Sequence, residues 1–145
     1  KLEDLSLLSS NSDKAFSSSR VAIVGKIPHL KSLSIQRSLF DCLDVLKDLS
    51  SFNTLTSLDL FDQGISEKVV EEIGSFSHLT CLKLNLKSIG QDTILVETLF
   101  QCTKLKELVL ANLSIPPGNT LQAIGNLPYL EILRLMRPGE LPGTR

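Results

Sequence analysis

A leucine triplet with the spacing L-x-x-L-x-L returns six times along this 145-residue chain. The copies are Leu2/Leu5/Leu7, Leu30/Leu33/Ile35, Leu55/Leu58/Leu60, Leu79/Leu82/Leu84, Leu105/Leu108/Leu110 and Leu130/Leu133/Leu135. From first leucine to first leucine the steps are 28, 25, 24, 26 and 25 residues. A period of that size makes each copy one supersecondary unit that buries its apolar face only against its neighbours. Six copies exceed the roughly three units needed for a continuous buried column. Each leucine is worth about 1.5–3 kcal/mol when fully buried, so the three columns carry most of the expected stabilisation.

The triplet and its period predict an α/β fold: a leucine-rich-repeat solenoid of about six repeats of 24–28 residues, spanning 1–145 as one domain. Within each triplet the leucines alternate inward and the intervening residues point out, the pattern of a short strand. Stacked strands form a concave parallel sheet, and the stretches between them form a helical or irregular convex side. Phe40, Ile65, Ile89 and Ile115 hold the same offset after the strand in repeats two to five.

Helical spacing follows. Leu39, Leu43, Leu46 and Leu49 share one face opposite Asp41, Asp44 and Asp48. Ser66 is the expected N-cap of the next helix, Val69, Val70 and Ile73 its buried face, and Gly74 its left-handed stop. Asp92 is expected to cap a helix over Thr93–Phe100 that buries Leu95, Leu99 and Phe100. Pro116-Pro117-Gly118 delays the fifth helix to about Thr120, and Gly125 ends it. Six serines between Ser9 and Arg20 mark a loop over 9–20 inserted in the first repeat. The tail 137–145 is irregular. Solenoids need polar end caps; neither Leu2 nor Leu135 is followed outward by one, so the expectation is a fragment of a longer chain.

Composition narrows the function classes. Fifteen Lys and Arg against sixteen Asp and Glu give a net charge of −1, without the basic field that drives non-specific nucleic-acid binding. No apolar run reaches the length of a membrane span. The start shows no signal-peptide layout, and Cys42, Cys81 and Cys102 form no close pair. One glycosylation triplet, Asn112-Leu113-Ser114, stands alone. The expected location is cytoplasmic.

No chemistry is proposed by any motif. Val21-Ala22-Ile23-Val24-Gly25-Lys26 lacks both the earlier glycine and the following hydroxyl of a phosphate loop. His29 and His78 each sit before the first leucine of a repeat, as Thr54, Lys104 and Tyr129 do elsewhere, and are turn residues. No metal-ligand spacing occurs. The reading is a non-enzyme without metal or cofactor.

The links Ile73-Gly74-Ser75-Phe76-Ser77-His78-Leu79-Thr80-Cys81-Leu82-Lys83-Leu84 and Ile124-Gly125-Asn126-Leu127-Pro128-Tyr129-Leu130-Glu131-Ile132-Leu133-Arg134-Leu135, with the irregular steps, carry a family resemblance. The chain resembles, over nearly its whole length, the leucine-rich-repeat region of plant intracellular disease-resistance receptors of the nucleotide-binding NLR family. It departs from many leucine-rich repeats at Ser38, Gln63, Lys87 and Leu113, where a capping Asn, Cys or Thr is common. No polar ladder is expected there. The resemblance implies a protein-recognition module of an immune receptor, sensing a pathogen effector or a guarded host protein and holding other domains of the parent inactive. Two alternatives stay open: the substrate-recognition part of an F-box ubiquitin-ligase subunit, and a receptor-kinase ectodomain, which Ser114-Ile115-Pro116 echoes.

The outward strand positions form the expected binding face. One column runs Ser6, Ser34, Asp59, Lys83, Val109, Arg134, the next Leu8, Gln36, Phe61, Asn85, Ala111, Met136, and a third Asp4, Ser32, Ser57, Cys81, Glu107, Ile132. Exposed apolar groups are expected at Val109, Ala111, Ile132 and Met136, edged by Lys83, Arg134 and Arg137. With Phe61 and Asn85 these are the predicted protein contacts.

Overall fold

A computed structural model describes residues 2–8, 23–36, 42–61, 65–87, 89, 92–113 and 118–136. The serine-rich stretch 9–20, Leu39, Phe40, Asp41, Ile115, Arg137 and the rest of the tail lie outside the described residues, and the expectations placed on them with them.

Six strands form one parallel sheet in chain order: β1 (Asp4–Leu8), β2 (Ser32–Gln36), β3 (Ser57–Leu60), β4 (Cys81–Asn85), β5 (Glu107–Ala111) and β6 (Ile132–Met136). The register reproduces the spacing of the triplets. Asp4 faces Ser32, Ser32 faces Ser57, Ser57 faces Cys81, Cys81 faces Glu107 and Glu107 faces Ile132. Leu5, Leu33, Leu58, Leu82, Leu108 and Leu133 consequently stack in one column.

The backbone explains why every strand starts in phase. The carbonyl just before each of the first five strands accepts two amides from the next repeat. Glu3 O receives Lys31 N and Ser32 N at 2.7 and 2.9 Å; Lys31, Thr56, Thr80 and Lys106 repeat the arrangement at 2.7–3.1 Å. Pairing of this kind satisfies edge donors that would otherwise be desolvated without a partner.

Among the described residues the connections hold a short 3-10 turn (Val24–Lys26) and four α-helices: α1 (Leu43–Phe52), α2 (Glu67–Ile73), α3 (Asp92–Gln101) and α4 (Gly118–Gly125). Their apolar sides share one core with the inward leucines of the strands, so all four lie on the same face of the sheet. In α1 the buried residues are Val45, Leu46 and Leu49. Asn53 ends that helix in the left-handed conformation at φ 52°, its N–H bonded to Leu49 O at 3.3 Å. Asparagine tolerates that conformation better than other residues with a Cβ.

Ser66 caps α2 as expected, its Oγ accepting from Val69 N at 3.3 Å. Two local expectations fail. Gly74 is not a left-handed stop: it has φ −60° and ψ −20°. Its value is lack of bulk, because an added Cβ would approach Gln101 Oε1 to 2.8 Å. Phe100 is 60% exposed and not part of the core; α3 turns Leu95, Thr98 and Leu99 inward instead.

Burial is uneven along the sheet. Leu58, Leu82 and Leu108 are fully buried, whereas Leu133 and Leu135 are 42% and 45% exposed. Neighbouring strands bury the middle ones on both sides. At β6 a described neighbour exists on one side alone.

Candidate protein-recognition face

The described helices pack on one face of the sheet, and the outward columns lie on the other. The register groups those columns into rows that cross β4, β5 and β6: Cys81, Glu107, Ile132; Lys83, Val109, Arg134; and Asn85, Ala111, Met136. Lys83, Asn85, Ile132, Arg134 and Met136 thus share a single surface with Val109 and Ala111, and Phe61 follows β3 beside it.

Val109 and Ala111 are not exposed apolar contacts, contrary to expectation. They are 1% and 3% exposed, and with Phe61 at 6% they form a small second core on the outward face, packed against partly buried Met136. The physical reason is reach. Phe61 is the one aromatic of its column and Ala111 the smallest residue, so the ring and the gap complement each other. Alternation alone assigns a side; it does not show that neighbours on that side cover each other. Ile132, 42% exposed, and Met136, partly buried, retain the accessible apolar surface.

The polar groups divide into committed and available ones. Asp59 Oδ1 accepts from Phe61 N at 3.0 Å, which fixes the turn carrying the aromatic ring. Asn85 Oδ1 accepts from Lys87 N at 3.1 Å and from Asn112 Nδ2 at 2.7 Å. That pair supplies a short polar link between neighbouring repeats where none was expected from the sequence. Asn112, at φ 58°, holds a left-handed turn directly after β5. The signal available in the sequence was the 27-residue offset of two asparagines, close to one repeat.

Cys81 Sγ lies 3.5 Å from Glu107 Oε2. Burial and the Glu107 carboxylate together push the Cys81 thiol up from its ordinary range. Burial pushes Cys102 up to about 11. Both are therefore held as thiols at neutral pH, the opposite of an activated nucleophile. Cys102 Sγ instead meets Ile73 O at 3.8 Å, beside Thr98 Oγ1, which donates to Val70 O at 2.9 Å. These are links between helices.

Lys83 is half-buried and Arg134 exposed, and neither makes an ion pair with a described carboxylate. The pairs present lie elsewhere, Glu3 with Lys31 and Asp48 with Lys26, each at 3.4 Å. His78 is an exposed turn residue, its Nδ1 3.4 Å from Lys104 Nζ; His29 is likewise exposed. Among the described residues no group of three or more His, Cys, Asp or Glu could hold a metal ion. No described helix is long and apolar enough to cross a membrane.

On the helix side a shallow groove of about 280 Å³ runs between α3 and α4, walled by Val96, Phe100 and Ala123 and rimmed by Asn119, Gln122 and Asn126. Sequence reasoning missed it because Phe100 was expected in the core. No protein-family model, curated protein or solved structure matches the chain.

Proposed function

We propose that the chain is a leucine-rich-repeat solenoid acting as a non-catalytic protein-recognition module, and that the sheet face opposite the helices is the recognition surface. One observation carries this reading: six strands in parallel register line up their outward residues on the face opposite the one where the described helices pack. Ile132, Arg134 and Met136 lie at its accessible end, with Lys83 and Asn85 beside them. Exposed apolar groups beside polar ones are the usual make-up of a protein interface. From the sequence resemblance we infer that this module belongs to an intracellular immune receptor of the NLR kind, where it would sense a protein ligand and restrain neighbouring domains in the cytoplasm. A ligand drives such a switch only by binding one state more tightly than the other.

Two measurements test the two parts. A random peptide library panned on the chain should yield binders whose enrichment falls about tenfold or more on an Arg134→Ala/Met136→Ala variant, the factor that separates a retained from a lost interface contact. Binders indifferent to that variant would defeat the face assignment. Sequencing the parent transcript on both sides should reveal a nucleotide-binding domain; an F-box or a secretory signal would overturn the receptor reading and leave the face reading untouched.

A further inference from the structure

The recognition face is electrically lopsided. On β1–β3 its charged residues are Asp4 and Asp59, set among Ser6, Ser32, Ser34 and Ser57. On β4–β6 they are Lys83, Arg134 and Glu107. The two cations share a row, one on each side of Val109. Parallel strands lie about 4.8 Å apart, so the two backbones are separated by about 10 Å across that row. Lysine and arginine side chains are long enough to bring both heads over the residue between them. That residue is a valine buried in one apolar cluster with Phe61 and Ala111, while Asp59, on the other side of Lys83 in the same row, accepts from Phe61 N and forms no ion pair with Lys83.

Resting on the recognition reading, we propose that Lys83 and Arg134 clamp one carboxylate of a partner polypeptide above Val109, so that the partner segment carries an Asp or Glu flanked by apolar residues. Arginine supplies a planar fork that suits a carboxylate, and lysine a second point charge. Glu107 does not fill this role from within. It lies in the adjacent row, 3.5 Å from the Cys81 thiol, and forms no ion pair with either cation. Ile132 and Met136 receive the apolar flanks.

A single-stranded nucleic acid offers anions too, but its binding needs aromatic platforms and a broad positive field. Among the described strand-face residues the aromatic is Phe61, which is buried, and the chain is net −1. The observations favour the acidic peptide.

The test reads the sequences enriched from a random dodecapeptide library panned on the chain, on Lys83→Gln/Arg134→Gln and on Lys83→Glu/Arg134→Glu. The proposal expects an excess of Asp and Glu on the native chain, an enrichment about tenfold or more lower on the neutral variant, and a shift to Lys and Arg on the reversed one. Peptides that depend on Arg134 and Met136 yet show no acidic excess would overturn the clamp while the recognition face survives. Absence of any face-dependent peptide would overturn both. Tighter binding of a decathymidylate than of the enriched peptides would overturn the clamp in favour of a nucleic acid.

Discussion

Thr120 is completely buried, and its Oγ1 meets no hydrogen-bond partner among the described residues. It stands ten residues before the first leucine of the next repeat, a slot held elsewhere by Val45, Val69 and Leu95, all buried. A hydroxyl has entered a core position. Leaving such a group unpaired costs about 1–3 kcal/mol. Thr120→Val, which keeps the shape and deletes the polar atom, is expected to stabilise the chain by about 1 kcal/mol. Thr98 is the control, since its hydroxyl is equally buried but bonded to Val70 O. Thr98→Val should destabilise by about 1 kcal/mol. Urea unfolding of the two variants checks both signs, and equal shifts would show that the hydroxyls do not differ in this way.

At the scale of elements, the 3-10 turn is seated on α1 through a glycine. A Cβ on Gly25 would meet Asp48 Cβ at 2.7 Å and Oδ2 at 2.9 Å, too close for either to remain in place. Gly25→Ala should therefore cost about 1–3 kcal/mol through overpacking and part the Lys26–Asp48 pair. Gly74→Ala should cost less, because its nearest obstacle is the flexible end of Gln101. Thermal unfolding of both variants would decide, and the reverse order would refute the seating argument. The sequence showed a turn at Gly25 and a helix end at Gly74, but not what either glycine approaches. Period and alternation report which way a side chain points. They do not report the distance to a residue 23 or 27 positions away, and both glycines are explained by such distances. The same gap hid the cover that Phe61 gives Val109 and Ala111. By contrast, the strand positions, their register and the buried side of α2 were legible, because each depends on spacing alone; in α1 Leu46 and Leu49 were foreseen, but buried Val45 was not and Leu43 is only half-buried.

Among the described residues every strand pairs with its chain neighbours alone, so stability is expected to be the sum of nearest-neighbour terms. Position along the stack then sets the effect of one substitution repeated in equivalent slots. Leu82→Ala, in the middle and fully buried, should cost about 2–5 kcal/mol. Leu133→Ala occupies the same column at 42% exposure and should cost less than half as much. Denaturant melts of the two variants would show it; equal losses would mean that the chain behaves as one undivided core.

The carbonyl that precedes each strand receives its two amides in the same geometry at all five junctions. Backbone bonding consequently carries no address: any repeat's strand would dock on any other's. Correct neighbour order has to be written in side chains that differ from junction to junction. Glu3 with Lys31, Asn53 with Ser77, and Asn85 with Asn112 are such labels, each found at one junction. Their modest individual energies understate them, because what they protect is less the depth of the native state than its uniqueness among shuffled relatives.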